Sequence, residues 1–338
     1  MDALKALMDG PKARGAFLLR SVFNPPWSLG IEDRAPLSVV AMVRGRAWVS
    51  TSRNDPALLG PGDIAVIRGP DPYTLADVPD SPPQITVGPD QRCTTTGGED
   101  VTDSMSLSLR TWGESTHEDS TVLLSGTYSA PRELGWHLMN AMPQLLIHPA
   151  GVEGSTASLA SLLGEEISKE EIGQELVLDR LLDLLLVSIL RSWLSTEPPG
   201  IPPWYRALKD PVVGRALELL QTAPAHPWTV SALARAVGAS RSMLARKFNA
   251  LVGQPPMAYL THWRLALAAD LLRGSRATLT TISHQVGYGS AFALSSAFKR
   301  TYGMSPHEYR TADTQELSAY RTEKGAAAIV SATAPLSR

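Results

Sequence analysis

Short apolar runs alternate with turn-forming residues over the first 150 positions of the chain. The runs are five to nine residues long and lie at 37–45, 46–51, 63–69, 84–88, 105–112 and 120–128. Turn signals such as Asn54-Asp55-Pro56 and Pro61-Gly62-Asp63 separate them. Short strands at regular spacing are typical of a β-sandwich or a small barrel. The pattern therefore predicts a mainly β domain over residues 1–150.

After residue 173 the hydrophobic period becomes that of a helix. Apolar residues at positions 178, 181, 182, 185, 186 and 189 line one helix face. Val177, Leu184 and Val187 lie outside this stripe, so the helix is apolar on more than one side. The pattern predicts a helical segment over residues 151–195 that packs against the β domain. Its second face is a candidate homodimer interface, and the two interpretations are compatible.

A proline-rich stretch follows this helical segment. Residues 195–203 contain four prolines, which cannot continue a helix and are typical of a semi-rigid linker. We place the linker at residues 196–208, before a second domain at 209–312. Residues 313–338 are predicted to form a disordered tail.

One pattern occurs twice in the second domain, at residues 229–260 and 278–310. Both copies contain the spacing Phe-x4-Gly-x2-Pro-x2-Tyr, and both read as two short helices joined by a Gly-containing turn. The residues predicted to cap these helices are Thr229, Gly238, Ser240 and Gly253 in the first copy and Thr278, Gly287, Ser290 and Gly303 in the second. Such a helix-turn-helix places its second helix in the major groove of DNA.

Three further helices complete a predicted all-α domain. One spans residues 210–221 and is entered through an Asp cap. A longer apolar helix at residues 254–273 suits a spine that joins the two helix-turn-helix units. A short last helix starts at Ser305-Pro306.

The second helix of the first unit has one apolar face and one polar face. Leu244, Phe248 and Leu251 share the side expected in the core. The residues predicted to face DNA are Ser240, Arg241, Ser242, Ala245, Arg246 and Asn249. Arg246 is the candidate for a base contact, because Arg can donate two hydrogen bonds to guanine. Arg241 is a candidate phosphate contact.

The corresponding helix of the second unit is less basic. Its predicted DNA face comprises Ser290, Ala291, Phe292, Ser295, Ser296, Lys299 and Arg300. Lys299 and Arg300 are expected to hold phosphates, while the rest of the face is small or apolar. Phe298 repeats the position of Phe248, so we assign both aromatic rings to the core.

The charge distribution supports a nucleic-acid partner. Residues 200–312 contain 13 Lys or Arg against 4 Asp or Glu, although the whole chain has a net charge of −2. Basic charge concentrated on one domain is what phosphate binding requires. The single cysteine, Cys93, excludes an internal disulfide and fits a reducing cytoplasm. No signal peptide or membrane span is expected, so we predict a cytoplasmic, nucleoid-associated protein without a membrane partner.

Residues 210–312 resemble the AraC/XylS family of bacterial transcription regulators. The resemblance is carried by VGYGSAFALSSAFKRTYGMSPHEYR at the C-terminal end and by SRSMLARKF in the first unit. It implies double-stranded promoter DNA as partner, with the two recognition helices in successive major-groove segments. RNA polymerase and an unknown effector are the other partners it implies. Ser296 departs from the family, in which Arg often occupies this place, so sequence discrimination is expected to rest mainly on the recognition helix of the first helix-turn-helix.

The N-terminal domain resembles a cupin jelly roll, which can enclose one small ligand. Together the resemblances imply a multi-domain chain: an N-terminal mainly β cupin-like jelly-roll barrel with a helical extension, then a C-terminal all-α double helix-turn-helix domain. Tyr73 stands after the Pro-Gly-Asp turn where relatives often have His, which makes it a candidate ligand-binding residue. Cys93 is predicted to be an inert thiol, with oxidation to a sulfenic acid or an intermolecular bridge as the alternative.

Metal and catalytic chemistry are not favoured by the sequence. His117, His137 and His148 are isolated and lack the His-x-His spacing of metal-binding cupins. The group Glu114, His117, Glu118 and Asp119 is predicted to be a solvated loop. We therefore predict no metal, no cofactor and no catalytic residue.

The sequence favours a DNA-binding transcriptional regulator whose barrel senses a small molecule or another signal, dimerises, or does both. Two alternatives stay open at this stage. One is a metal-dependent cupin enzyme fused to a DNA-binding domain. The other is a ligand-independent DNA-binding adaptor.

Overall fold

The computed structural model describes residues 17–128, 139, 142–151, 156–169, 171–196 and 203–312. These residues divide into a β-rich N-terminal unit and a helical C-terminal unit that begins at Pro203. Residues 197–202 of the predicted linker and the whole predicted tail at 313–338 lie outside the described residues.

The N-terminal unit contains two β-sheets. Its strands are β1 Phe17–Phe23, β2 Ser28–Ile31, β3 Leu37–Arg44, β4 Ala47–Thr51, β5 Asn54–Leu59, β6 Ile64–Arg68, β7 Tyr73–Ala76, β8 Ile85–Val87, β9 Cys93–Thr95, β10 Ser106–Ser108, β11 Thr111–Gly113, β12 Thr121–Tyr128 and β13 Leu145–His148. One sheet has the order β10-β11-β1-β12-β3-β6-β13, and the other has the order β5-β4-β7-β2-β8-β9. This confirms the predicted sheet-rich N-terminal fold.

The Pro-Gly-Asp turn moves the chain between the sheets. It joins β5 in the six-stranded sheet to β6 in the seven-stranded sheet. Gly62 takes a φ of +85°, which favours glycine. Asp63 accepts hydrogen bonds from the N–H groups of Gly60 at 2.8 Å and Ala150 at 2.7 Å. One carboxylate therefore closes the turn and ties it to the chain after β13.

One predicted strand and one predicted turn of this unit were wrong. Residues 105–112 do not form one strand, because the chain turns at Leu109 and pairs Ser106 with Trp112 across an antiparallel hairpin. The predicted turn at Asn54-Asp55-Pro56 is the start of β5 instead. β5 lies at the edge of its sheet, where a proline without an N–H group is tolerated.

Aromatic and aliphatic side chains form an apolar core between the sheets. Phe23 stacks on Trp27 with ring centroids 4.9 Å apart and meets Trp112 edge-on at 5.8 Å. The Trp112 indole N–H donates to the Thr102 carbonyl at 3.0 Å. Val40 and Val49 are fully buried in the same core. The double sheet thus has a continuous apolar interior.

Two helices, α1 Thr156–Glu166 and α2 Gln174–Ser195, follow the strands. A Cβ on Gly126 of β12 would lie 2.6 Å from a methyl group of Leu182, so α2 packs directly on the seven-stranded sheet. The opposite side of α2 stays open: Leu176, Val177 and Leu184 are 61%, 44% and 53% exposed. The packing interpretation of this helix is therefore confirmed, and an apolar second face is available as well.

Helices joined by short loops and turns make up the described part of the C-terminal unit. Its helices are α3 Pro203–Ala207, α4 Val213–Thr222, α5 Val230–Ala236, α6 Arg241–Val252, α7 Pro256–Gly274, α8 Leu279–Val286, α9 Ala291–Tyr302 and α10 Pro306–Thr311. Thr229, Ser240, Thr278, Ser290 and Ser305 each accept a hydrogen bond from a backbone N–H in the first turn of the helix they precede. Gly238, Gly253, Gly287 and Gly303 all have positive φ. The predicted caps are confirmed.

Some helix boundaries differ from the prediction. α7 spans Pro256–Gly274 and not residues 254–273. α4 begins at Val213 and not at Asp210. Asp210 still satisfies the helix start, because its Oδ1 accepts from the N–H groups of Val212 at 3.0 Å and Val213 at 2.9 Å.

Two separate cores lie along α7, which confirms its role as a spine. Tyr259 and Leu260 belong to the core of the first helix-turn-helix unit, together with Phe248. Leu265 and Leu272 belong to the core of the second unit, together with Phe298. Because α7 is one continuous helix, it holds the two helix-turn-helix motifs of the C-terminal unit in a fixed relation.

Candidate functional sites

The first recognition helix, α6, presents a basic polar face to solvent. Leu244 and Phe248 are completely buried beneath it. Arg241, Ser242, Arg246 and Asn249 are exposed and Ala245 is half-buried, while the Ser240 hydroxyl accepts from the Met243 N–H at 3.2 Å. The structure thus brings all the residues predicted to face DNA to one accessible side of this helix. Leu251, which was predicted to lie in the core, is only half-buried.

The second recognition helix, α9, exposes a different chemistry. Phe292 is 81% exposed, which is unusual for a ring of this size. Ser296, Lys299 and Arg300 are exposed beside it, and Ala291 and Ser295 are half-buried. The Ser290 hydroxyl accepts from the Ala293 N–H at 3.1 Å. Every residue predicted for this face is accessible, with one aromatic ring at the start of the helix and two cations at its end.

Lys247 was not singled out from the sequence, and it lies on α6 next to Arg246. Its ammonium group is 2.7 Å from the Asp210 carboxylate, which precedes α4. Desolvation acts to raise the pKa of Asp210, but hydrogen bonds from Lys247 and from the N–H groups of Val213 and Val212 lower it below its usual value. This ion pair links the recognition helix to the residues that begin α4. The Lys247 ammonium group is therefore less free to bind a DNA phosphate than an unpaired cation would be.

A second anchor was also missed because it joins residues far apart in the chain. Arg264 on α7 donates to the carbonyl groups of Pro224 at 2.7 Å and His226 at 2.9 Å. Gly287, with a φ of +87°, lies against this contact: a Cβ there would be 2.7 Å from the Ala225 Cα. The turn of the second helix-turn-helix therefore contacts the loop that precedes the first one, and position 287 has room only for glycine.

A cavity of about 220 Å³ opens between the two sheets of the N-terminal unit. Its walls include Leu29, Leu75, Trp112 and Leu123, and the candidate ligand residue Tyr73 also lines it. Burial raises the pKa of the Tyr73 phenol, against the lowering effect of its hydrogen bond with Ser38. A mostly apolar cleft with a few polar groups is typical of a small-molecule site.

Cys93 also lines this cavity. Its thiol is buried, and that burial raises its pKa to about 11. A raised pKa keeps the thiol protonated near neutral pH, and the protonated form is a poor nucleophile. The environment therefore favours the inert interpretation of this residue.

Two of the histidines considered as metal ligands have different surroundings in the structure. His117 is in an exposed loop with its Nε2 atom 3.3 Å from the Ser115 hydroxyl, and His148 is buried against the Thr156 hydroxyl at 2.9 Å. His137 lies outside the described residues. Among the residues that the structure describes, no three His, Cys, Asp or Glu side chains form a metal-binding group. Nor does any described helix have the length and apolar character to cross a membrane.

Comparison with known proteins gives two family matches. Residues 2–195 match a family model described as Cupin, and residues 233–312 match one described as Helix-turn-helix domain. A putative AraC-like transcription regulator from Streptomyces antibioticus is 33% identical over 92% of this chain and 98% of its own length.

Two further proteins match only part of this chain. The HTH-type transcriptional regulator AlkR from Acinetobacter baylyi is 35% identical over 52% of this chain and 59% of its own length. A crystal structure of an AraC-type transcriptional regulator from Chromobacterium violaceum is 28% identical, covers 31% of this chain and 93% of that one, and has a TM-score of 0.29. The two family matches and the relative of nearly full length show that this chain belongs to the AraC-like transcription regulators, with a cupin domain followed by a DNA-binding helix-turn-helix domain.

Proposed function

We propose that this regulator recognises promoter DNA mainly through α6 and holds it through α9. The observation that supports α6 most directly is the contrast between neighbouring cations. Lys247 is paired with Asp210, whereas Arg241 and Arg246 are exposed and have no ion pair among the described residues. Unpaired arginines on an accessible helix face are available for guanine and phosphate. Selection of bound duplexes from a random pool tests the proposal, and enrichment of no motif would contradict it.

On α9 the proposed contacts are of two kinds. Phe292 and Ala291 can meet a thymine methyl group, and Ser295 and Ser296 leave room for close approach of the helix. Lys299 and Arg300 lie in the last turn and are assigned to phosphates. In this proposal α9 positions the protein on DNA and adds affinity, and it contributes less to sequence discrimination than α6.

Lys299→Ala is expected to weaken binding to all DNA sequences by a similar factor. Loss of one phosphate contact releases about one counterion fewer, so the slope of log K against log salt becomes shallower by about one. Titrations of the full chain at several salt concentrations measure this slope. Arg215→Ala is the matched control, because Arg215 is already paired with Glu218 at 2.6 Å on α4. A loss confined to the cognate site would contradict the phosphate assignment.

We further propose that residues 1–150 sense a signal and that residues 209–312 bind DNA. A ligand that prefers one arrangement of the two would shift promoter occupancy through its differential affinity. The cavity between the sheets supports sensing over the adaptor alternative, which predicts no stabilising small molecule in a thermal-shift screen.

No catalytic step belongs to the proposal, since the relatives are transcription regulators. The proposal also includes RNA polymerase as a partner and the cytoplasm as the place where the protein acts.

The open face of α2, at residues 176, 177 and 184, is proposed as a homodimer interface. Leu184→Glu, which places a charge on this face, is expected to shift the full chain toward monomer by at least tenfold in dissociation constant. Sedimentation velocity over a range of concentrations measures it. Leu58→Glu is the control, because Leu58 is similarly exposed, at 42%, but lies on β5. Equal shifts for both variants, or none, would contradict the interface.

A further inference from the structure

An acidic residue occupies an inward position in the cavity of the N-terminal unit. Side chains two residues apart on an extended strand face the same side. Leu29 and Ile31 of β2 line the cavity, and Asp33, two residues beyond, lines it as well. A half-buried carboxylate just beyond the end of β2 therefore lines the same cavity as the apolar side chains of the strand.

Asp33 has hydrogen bonds but no counter-charge. Its Oδ1 accepts from the Ala35 N–H at 2.9 Å, and the Gln91 side chain is a second partner. It forms no ion pair with any residue that the structure describes, and the cavity wall includes no Lys, Arg or His. Desolvation raises the pKa of Asp33 despite both hydrogen bonds. Burying a carboxylate without a cation is unfavourable, so a cationic ligand would gain by pairing with it.

The rest of the cavity fits a small, mainly apolar body. Leu75, Trp112 and Leu123 form much of the wall, and Asp103 adds a second carboxylate. Ser21 is only 4% exposed, lines the cavity, and makes no side-chain hydrogen bond within the described ranges. A volume of about 220 Å³ is moderately larger than the roughly 150 Å³ that accommodates benzene. One ring with a short substituent therefore fills it.

We propose that this cavity binds a small organic amine whose ammonium group pairs with Asp33 and whose apolar part lies among Leu75, Trp112 and Leu123. The proposal rests on the sensing role proposed for the barrel, and it specifies the chemical class of the effector. Two carboxylates and no cation in the wall disfavour carboxylates and phosphates as ligands.

Three probes that share one ring and differ in charge test the class: benzylamine, benzyl alcohol and benzoate. At roughly 10 mM, benzylamine is expected to raise the Tm of the full chain by a few degrees, because a ligand that binds only the folded state stabilises it. Benzoate is expected to leave the Tm unchanged, and benzyl alcohol to have a smaller effect. Calorimetric titration of the full chain then gives each dissociation constant.

Asp33→Asn removes the charge and retains an oxygen to accept from the Ala35 N–H. Benzylamine is expected to bind this variant at least roughly tenfold more weakly, as for loss of a charge-assisted hydrogen bond. Asp90→Asn is the matched control, because Asp90 accepts from the Arg92 N–H at 3.3 Å with the same two-residue spacing and lies outside the cavity wall. Its benzylamine affinity is expected to equal that of the unmodified chain.

Four results would overturn the proposal. They are binding of benzoate or benzyl alcohol as tight as that of benzylamine, unchanged benzylamine affinity in Asp33→Asn, equal loss in Asp90→Asn, and no response to any probe. DNA titrations of the full chain with and without benzylamine separate the site from its role. Binding through Asp33 that leaves DNA affinity unchanged would count against sensing and would leave the amine site standing.

Discussion

Phe298→Ala is expected to destabilise the C-terminal unit by about 3–5 kcal/mol, the range found for truncating a buried aromatic ring. Phe298 is fully buried and packs against Tyr302 and Tyr309, with ring centroids 4.4 Å and 5.2 Å away. Domains are stable by only about 5–15 kcal/mol, so the change removes a large share of that stability. Hydrogen exchange of the α9 amides in the full chain measures the loss.

The matched control lies on the same helix. Phe292→Ala removes the same ring from a position that is 81% exposed, so stability is expected to change by less than about 0.5 kcal/mol. The same variant is expected to weaken DNA binding, because the proposed thymine contact is lost. Similar protection of the α9 amides from hydrogen exchange in Phe298→Ala and Phe292→Ala would contradict the assignment of Phe298 to the core.

Arg246→Ala is expected to cost about 1–3 kcal/mol on the cognate site, which corresponds to roughly 5- to 150-fold in affinity. The guanidinium can donate two hydrogen bonds to one guanine, and alanine can donate none. Discrimination against other bases at that position is expected to fall as well. Fluorescence anisotropy with cognate and scrambled duplexes at one salt concentration measures both effects.

Arg215→Ala again provides the control. Arg215 also lies in the C-terminal unit, but it forms an ion pair with Glu218 on α4. It is expected to leave both duplex affinities unchanged. If Arg246→Ala weakens the cognate and scrambled duplexes equally, Arg246 contacts only phosphate and the base assignment is wrong.

The helical unit could be predicted closely because its signals are local. A Ser or Thr that caps a helix accepts from an N–H group three residues ahead, and a glycine that ends one needs only its own φ. Ser240 and Gly253 therefore marked α6 correctly. The exposed face of α6 followed from the helical period alone.

The β unit was predicted less completely because its pairing is between distant residues. β1 pairs in parallel with β11, and β2 with β8, and neither partner can be identified from neighbouring residues. β2 itself was not predicted, so Asp33 could not be recognised as an inward residue. Arg264 and Pro224 are 40 positions apart, and their contact depends on the folded arrangement of α7.

The inequality of the two recognition helices gives the bound protein a polarity. α6 exposes Arg241 and Arg246, whereas α9 exposes Phe292 and Ser296. If one chain were turned end for end on its site, the apolar face of α9 would meet the bases that suit Arg246. Under the contacts proposed above, a single chain has one preferred orientation along the duplex, and its half-site is directional. A palindromic operator would then mark two chains bound head to head, and a direct repeat would mark two chains in tandem.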